Sequence, residues 1–265
     1  MRLKDRVAIV TGSGSGIGRG IARRFAQEGA RVVIAEIVAE WGEETARLIE
    51  GEGGEVVFLE TDVRVREQVE ATVRRTIELF GRVDILVNNA GIMGRVPLID
   101  MTDEQWDDML ATNLTGPFLC TQAVVRHLVA TGRRGKIINI ASIESQATCP
   151  QQAHYAASKG GVLMLTRALA CDLGPLGINV NAIGPGTTDS GRGAFDDPEV
   201  RETYASKVPL GRLARPSDMA KAAVFLASDD ADYVNGAVLY VDGGTITKYA
   251  GLAWPSSKGD SASPS

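Results

Sequence analysis

Tyr155-Ala156-Ala157-Ser158-Lys159 sets a phenol and an ammonium four positions apart. On a helix that spacing puts both side chains on one face, a turn from each other. A free phenol ionises near pH ~10, so almost none is a base at neutral pH. Proton transfer is most efficient when the group's pKa lies near the working pH. Bringing the phenol down by about three pH units takes roughly 4 kcal/mol of preferential phenolate stabilisation. A neighbouring ammonium can supply much of that, because an opposite charge favours the ionised form. The pair therefore points to Tyr155 as proton acceptor or donor, with Lys159 lowering its pKa. By itself the same spacing also describes an ordinary exposed helix face. Ser142 lies upstream, just past an apolar run at 137–140. Its hydroxyl can bond a substrate oxygen and stabilise charge developing there; a buried serine cap is the plainer alternative.

A second set of residues suits phosphate and ribose. Thr11-Gly12-Ser13-Gly14-Ser15-Gly16-Ile17-Gly18 follows an apolar run and precedes a helical pattern. Glycines allow a sharp turn and a close backbone approach to a pyrophosphate. The helix that follows offers its free N–H groups and the positive end of its dipole. A tight turn without ligand is the competing reading, and the strand-turn-helix context argues against it. Glu36 closes the second apolar run, where a carboxylate can accept hydrogen bonds from adenosine ribose hydroxyls. An exposed surface glutamate is the alternative.

These residues need a scaffold that brings distant segments to one edge. Short β-branched runs at 7–10, 31–35, 56–59, 83–87, 136–140, 179–183 and 237–241 read as strands. Most are continuously apolar, as strands covered on both faces should be. Helical patterns fall between them at 17–28, 40–51, 67–80, 103–130, 155–173 and 217–227. This alternation predicts an α/β fold: a single doubly wound Rossmann-type domain with a seven-stranded parallel sheet and helices on both faces. We expect that domain to span 1–254, with a lid at about 187–208 and a disordered polar tail at 255–265. The glycine loop, Glu36, Asp62, Asn88–Gly91, Ser142 and Pro185-Gly186 each follow a strand end. In an open α/β sheet the ligand crevice lies at those ends.

The remaining composition mostly excludes. A formal charge of −5 argues against nucleic acid or an anionic membrane as partner. Three cysteines with no C-x-x-C spacing and only two histidines speak against a disulfide framework or a metal site. Reduced thiols fit a cytoplasmic protein. No run approaches the length of a membrane span.

The glycine spacing, the Asn88-Asn89-Ala90-Gly91 segment, Ser142, the Tyr155/Lys159 pair and Pro185-Gly186-Thr187-Thr188-Asp189-Ser190 together resemble the short-chain dehydrogenase/reductase family. The resemblance covers about 3–247 and includes Pro209-Leu210-Gly211-Arg212 and Val241-Asp242-Gly243-Gly244. It implies hydride transfer between a carbinol carbon and a nicotinamide, with Tyr155 moving the hydroxyl proton. It implies that Lys159 also holds the nicotinamide ribose, and that Asn113 distorts its helix and holds a water relaying protons to the lysine. Gly12, Ser15, Gly16, Ile17 and Gly18 would cradle the pyrophosphate. Asp62 would meet the adenine amine and Val63 line its pocket, although an aspartate there is equally an ordinary N-cap. Asn89, Ala90 and Gly91 would lie against the nicotinamide half, while Asn88 more naturally ties strands together. Thr188 and Ser190, after Pro185 and Gly186, would fix the carboxamide. NADP-dependent relatives carry a basic residue after the acidic position or inside the glycine loop; Ile37 and Ser15 stand there instead. The expected cofactor is NAD.

Substrate should meet 93–96, 143–152 and the lid. Ser142, Glu144, Gln152 and Tyr155 are the candidate contacts, with Ser145, Gln146, Gln151 and His154 nearby. So many hydrogen-bonding groups suit a polyhydroxylated substrate. The approach to Tyr155 resembles family members that oxidise sugars such as L-rhamnose, so a sugar or polyol dehydrogenase is the leading expectation. A 3-oxoacyl-thioester reductase is the runner-up. A non-catalytic NAD-sensing regulator is a third reading, which would not require the Tyr155, Lys159 and Ser142 set. The family resemblance also implies a homotetramer.

Overall fold

The computed structural model describes residues 1–191 and 193–247. Its centre is one sheet of β1 (Val7–Thr11), β2 (Arg31–Glu36), β3 (Val56–Glu60), β4 (Ile85–Asn88), β5 (Gly135–Ile140), β6 (Ile178–Pro185) and β7 (Val238–Val241). All seven run parallel in the order β3-β2-β1-β4-β5-β6-β7. The winding reverses between β1 and β4, and this switch opens a crevice at the C-terminal strand edge. The helices are α1 (Gly16–Gln27), α2 (Ala39–Gly51), α3 (Arg66–Phe80), α4 (Asp103–Leu110), α5 (Gly116–Ala130), α6 (Ala153–Leu173), α7 (Pro198–Ala205) and α8 (Pro216–Ala227).

Successive strand side chains point to opposite faces, so a continuously apolar strand feeds two cores. On β2, Val32 and Ile34 join a core with Ile21 and Phe25 of α1, Ile49 of α2 and Met219 and Ala223 of α8. Val33 and Ala35 face the other way, toward Val69 and Val73 of α3, Leu119, Val124 and Leu128 of α5 and Leu173 of α6. A fully buried aliphatic side chain contributes about 1.5–3 kcal/mol, so these layers hold the strand ends in place.

Most expected boundaries shift by a residue or two. The fourth strand starts at Ile85 rather than 83, and the buried Asp84 just before it accepts the Val7 N–H on its carboxylate at 2.9 Å. The seventh begins at Val238 rather than 237. The expected helical stretch at 103–130 keeps its bounds and is helical throughout, with a π-helical turn at Ala111–Thr115, around Asn113, dividing α4 from α5. The expected lid contains α7, started by Asp197, whose carboxylate accepts the Glu199 N–H at 2.8 Å. The expected tail lies outside the described residues. Among the described residues, no helix is long and apolar enough to cross a membrane.

Candidate active site

The glycine loop runs from the end of β1 into α1. Gly12 and Gly16 hold positive φ of 60° and 54°, which side chains of other residues rarely adopt. A Cβ on Gly18 would stand 2.3 Å from the Gly12 carbonyl oxygen, so only glycine closes this turn. Ser15 caps α1 without a side-chain hydrogen bond, and the first turn carries no acidic residue. The leading N–H groups of α1 therefore remain suited to an anion, which fits a pyrophosphate. Ile17 packs beneath, against the core.

Glu36 leaves β2 beside that loop. Its carboxylate is buried and accepts the backbone N–H groups of Gly14 at 2.9 Å, Ile37 at 2.9 Å and Val38 at 3.1 Å. Three donors fix its direction, and lone pairs remain for ribose hydroxyls. It is no exposed surface glutamate. Ile37 is exposed next to it. Asp62 does not take the cap role, because Val65 occupies that position for α3. Its carboxylate accepts the Arg64 guanidinium at 2.8 Å, which holds its pKa below the usual range. Val63 is buried, with Gly116 lacking the Cβ that would press against it.

The segment after β4 joins both halves of the site. Asn89 Nδ2 donates to the Thr11 and Gly12 carbonyls, each at 2.9 Å. The Ala90 N–H reaches Thr11 Oγ1 at 3.0 Å. A Cβ on Gly91 would lie 3.1 Å from Asn113 Oδ1 and 3.6 Å from Lys159 Nζ, which places the catalytic helix against this turn. Asn88 points away, into a buried ladder with Asn139 at 2.8 Å and Thr121 at 3.0 Å.

Asn113 sits in the π turn. Its Oδ1 accepts the Ile92 N–H at 2.8 Å and its Nδ2 donates to the Ile92 carbonyl at 2.9 Å and to Ser158 at 3.1 Å. The side chain is thus consumed in tying α6 to the segment after β4. A π turn also displaces backbone carbonyls from the regular helical ladder.

Ser142 follows β5. Its Oγ accepts the Glu144 N–H at 3.0 Å, leaving the hydroxyl proton free to donate elsewhere. One target is Tyr155, whose phenolate form this hydrogen bond favours. Tyr155 and Lys159 share one face of α6, with Nζ 5.7 Å from the phenol ring centroid. Lys159 Nζ donates to the Ile140 carbonyl at 2.9 Å, and its other two N–H donors suit ribose hydroxyls.

From the chain's own groups alone, burial outweighs the other influences on the phenol. Burial pushes the Tyr155 pKa up, the Ser142 hydrogen bond opposes it, and the Glu144 charge raises it further. Burial brings Lys159 down to about 8. The lysine therefore gives up part of its charge near neutral pH, and its ammonium is directed at a carbonyl. The chain's own groups leave the phenol above its ordinary value.

Pro185 and Gly186 end β6, where a Cβ on Gly186 would meet Asp242 at 2.7 Å. Thr188 Oγ1 turns back to the Gly186 carbonyl at 2.9 Å. Ser190 reaches across to the glycine loop, 3.2 Å from where a Gly16 Cβ would stand. On the substrate side, Gln152 is buried, and the amide orientation that satisfies its neighbours sets its nitrogen 3.0 Å from both Glu144 oxygens. His154 is buried on the same helix start, and its Nδ1 has no partner among the described residues.

One contributor escaped sequence reasoning. Tyr240 of β7 brings its hydroxyl within 3.0 Å of Ser145 Oγ, which donates to the Ser142 carbonyl at 2.7 Å. The last strand thus buttresses the serine loop. Local pattern carries no signal for a contact between residues so far apart in the chain.

A family model described as enoyl-(acyl carrier protein) reductase matches residues 12–246. The chain is 43% identical over 250 residues to an L-rhamnose 1-dehydrogenase (NAD(P)(+)) of Azotobacter vinelandii, covering 92% of this chain and 98% of that protein. It is 39% identical over 246 residues to a 3-oxoacyl-[acyl-carrier-protein] reductase of Thermotoga maritima, covering 93% and 100%. Among solved structures, a gluconate 5-dehydrogenase from Burkholderia cenocepacia in complex with NADP and tartrate superposes with a TM-score of 0.87 at 40% identity, covering 94% and 98%.

Proposed function

The chain belongs to the short-chain dehydrogenase/reductase family, and from that premise we propose that it is an NAD-dependent dehydrogenase of a sugar or polyol. As a family member it is an oxidoreductase acting on alcohol and carbonyl groups with NAD(P). The proposal concerns which cofactor, which substrate and which residues.

One observation carries it: Ser142, Tyr155 and Lys159 meet at the strand edge that also holds the glycine loop. Bound nicotinamide would supply the hydride acceptor or donor. In oxidation, the Tyr155 phenolate takes the substrate hydroxyl proton. Ser142 donates its free hydroxyl proton to the same substrate oxygen and steadies the charge on it. Lys159 would hold the nicotinamide ribose, and Asn113 keeps the π turn against the segment after β4. In reduction, Tyr155 returns the proton. Gly12, Ser15, Gly16, Ile17 and Gly18 receive the pyrophosphate. Asn89, Ala90, Gly91, Pro185, Gly186, Thr188 and Ser190 border the nicotinamide half, with Val63 and Asp62 toward adenine.

NAD is favoured over NADP by the Glu36 carboxylate at the end of β2, held in place by three N–H donors, because its charge would repel a 2′-phosphate. The hydrogen-bonding wall of Glu144, Gln152 and His154 favours a hydroxylated substrate over an apolar one. The similarity to the Thermotoga reductase supports a 3-oxoacyl-thioester as second candidate, against which Glu36 speaks if NADPH is needed.

The test is NADH formation on a panel of sugars, polyols and secondary alcohols, with 3-oxoacyl thioesters assayed in reverse. Tyr155→Phe should lower kcat by 10² or more, roughly the value of general acid–base catalysis. Turnover of apolar ketones alone would remove the sugar reading. An undiminished Tyr155→Phe variant would remove the mechanism.

A further inference from the structure

We propose that Glu144 is a specificity residue: held beside Tyr155 by Gln152, its carboxylate accepts a hydrogen bond from a second hydroxyl of a neutral polyhydroxylated substrate and turns away analogues that carry a carboxylate. The inference rests on the dehydrogenase reading above and narrows its substrate class.

Gln152 is buried at the start of α6, and in the amide orientation that satisfies its neighbours its nitrogen lies 3.0 Å from both Glu144 oxygens, a bifurcated donation to the carboxylate. The carboxylate is therefore held by a neighbour that cannot rotate freely. Its own backbone N–H is tied to Ser142 Oγ at 3.0 Å. Glu144 is thus coupled to the catalytic serine through the main chain. It acts on Tyr155 through space, since its charge raises the phenol. An ionised carboxylate only accepts hydrogen bonds, and the Gln152 donors leave further lone pairs on both oxygens. Partial burial makes a hydrogen bond to that charge stronger than a neutral one.

The charged groups facing Glu144 are few. Arg95 approaches from the segment after β4 and lowers its pKa, against a larger upward push from burial. The Cys149 backbone also donates to it. Arg95 is exposed, so water screens its countercharge. A hydroxyl entering here meets a directed acceptor. A substrate carboxylate would meet a fixed like charge in a partly desolvated cleft. The Burkholderia relative, solved with tartrate, is named for an aldonate, so the two chains would differ in the charge they accept.

Wild-type protein with NAD is assayed on aldoses and alditols and on the aldonates of the same carbon chains, beside E144Q. We expect wild-type kcat/KM to favour neutral substrates. In E144Q the neutral-to-aldonate ratio should fall about 10- to 100-fold, the worth of one charged hydrogen bond. Removing the charge should also lower the phenol pKa, so the rising limb of oxidation moves to lower pH. A structural defect would reduce both substrate classes together and leave the ratio intact. An unchanged ratio in E144Q, or a wild-type preference for aldonates, overturns the proposal. A preference for aldonates leaves the dehydrogenase reading standing, whereas no turnover of any hydroxylated compound ends both.

Discussion

Burial at Lys159 has a thermodynamic consequence that can be measured without substrate. Its pKa falls from 10.5 to about 8 on folding, with desolvation as the cause. The unfolded chain therefore binds the proton more tightly than the folded one. Below pH 8 both states are protonated and the folded state carries the full penalty. Between pH 8 and 10.5 the folded lysine is neutral while the unfolded one is still charged, so stability rises with pH. Lys159→Met should be more stable than wild type below pH 8, by up to about 3 kcal/mol. That gap should close toward pH 10.5 in denaturant titrations; parallel pH curves for the two proteins would contradict it. Glu36 offers a second test at this scale. Glu36→Ala should weaken NAD binding about tenfold while improving NADP binding, since a charged hydrogen bond is lost and a repulsion removed. Calorimetric titration of both dinucleotides reads the change. An unmoved preference would show that Glu36 does not select the cofactor.

At the scale of elements, the π turn between α4 and α5 stands out. Asn113 makes four side-chain hydrogen bonds there, two of them to Ile92 and one each to Met109 and Ser158. Asn113→Ala would leave buried groups unpaired, at about 1–3 kcal/mol. We expect a lower urea midpoint together with a lower kcat, because the Gly91 turn that meets Lys159 would loosen. A variant that loses stability yet keeps kcat would make Asn113 purely structural. The stretch at 103–130 reads as one helix because its apolar spacing persists across the join. The extra residue of a π turn leaves no mark on that periodicity. The α1 junction is more legible: glycines between a strand and a helix have few other uses. Asp62 was ambiguous for a local reason. An aspartate before a helix suits a cap, a ligand contact or an ion pair; Val65 takes the cap position and Arg64 pairs with the carboxylate.

For the molecule as a whole, assembly is the open prediction. Phe118 and Val129 on α5 and Met164 on α6 are exposed apolar residues, and we expect such faces to bury against symmetric copies in a homotetramer. Light scattering should return about four times the 28.1 kDa chain mass; a monomeric mass would remove this expectation. The parallel α/β architecture, the seven strands and the convergence of the strand ends were all readable in the sequence. Each follows from apolar periodicity and glycine placement, which are local properties of the chain. The strand order, the Tyr240 support beneath Ser142 and the Gln152 grip on Glu144 came only with the tertiary structure. The sign of the shift at Tyr155 did as well. A pKa is set by everything packed around a group, and the burial that raises the phenol comes from segments the Tyr155/Lys159 spacing does not describe.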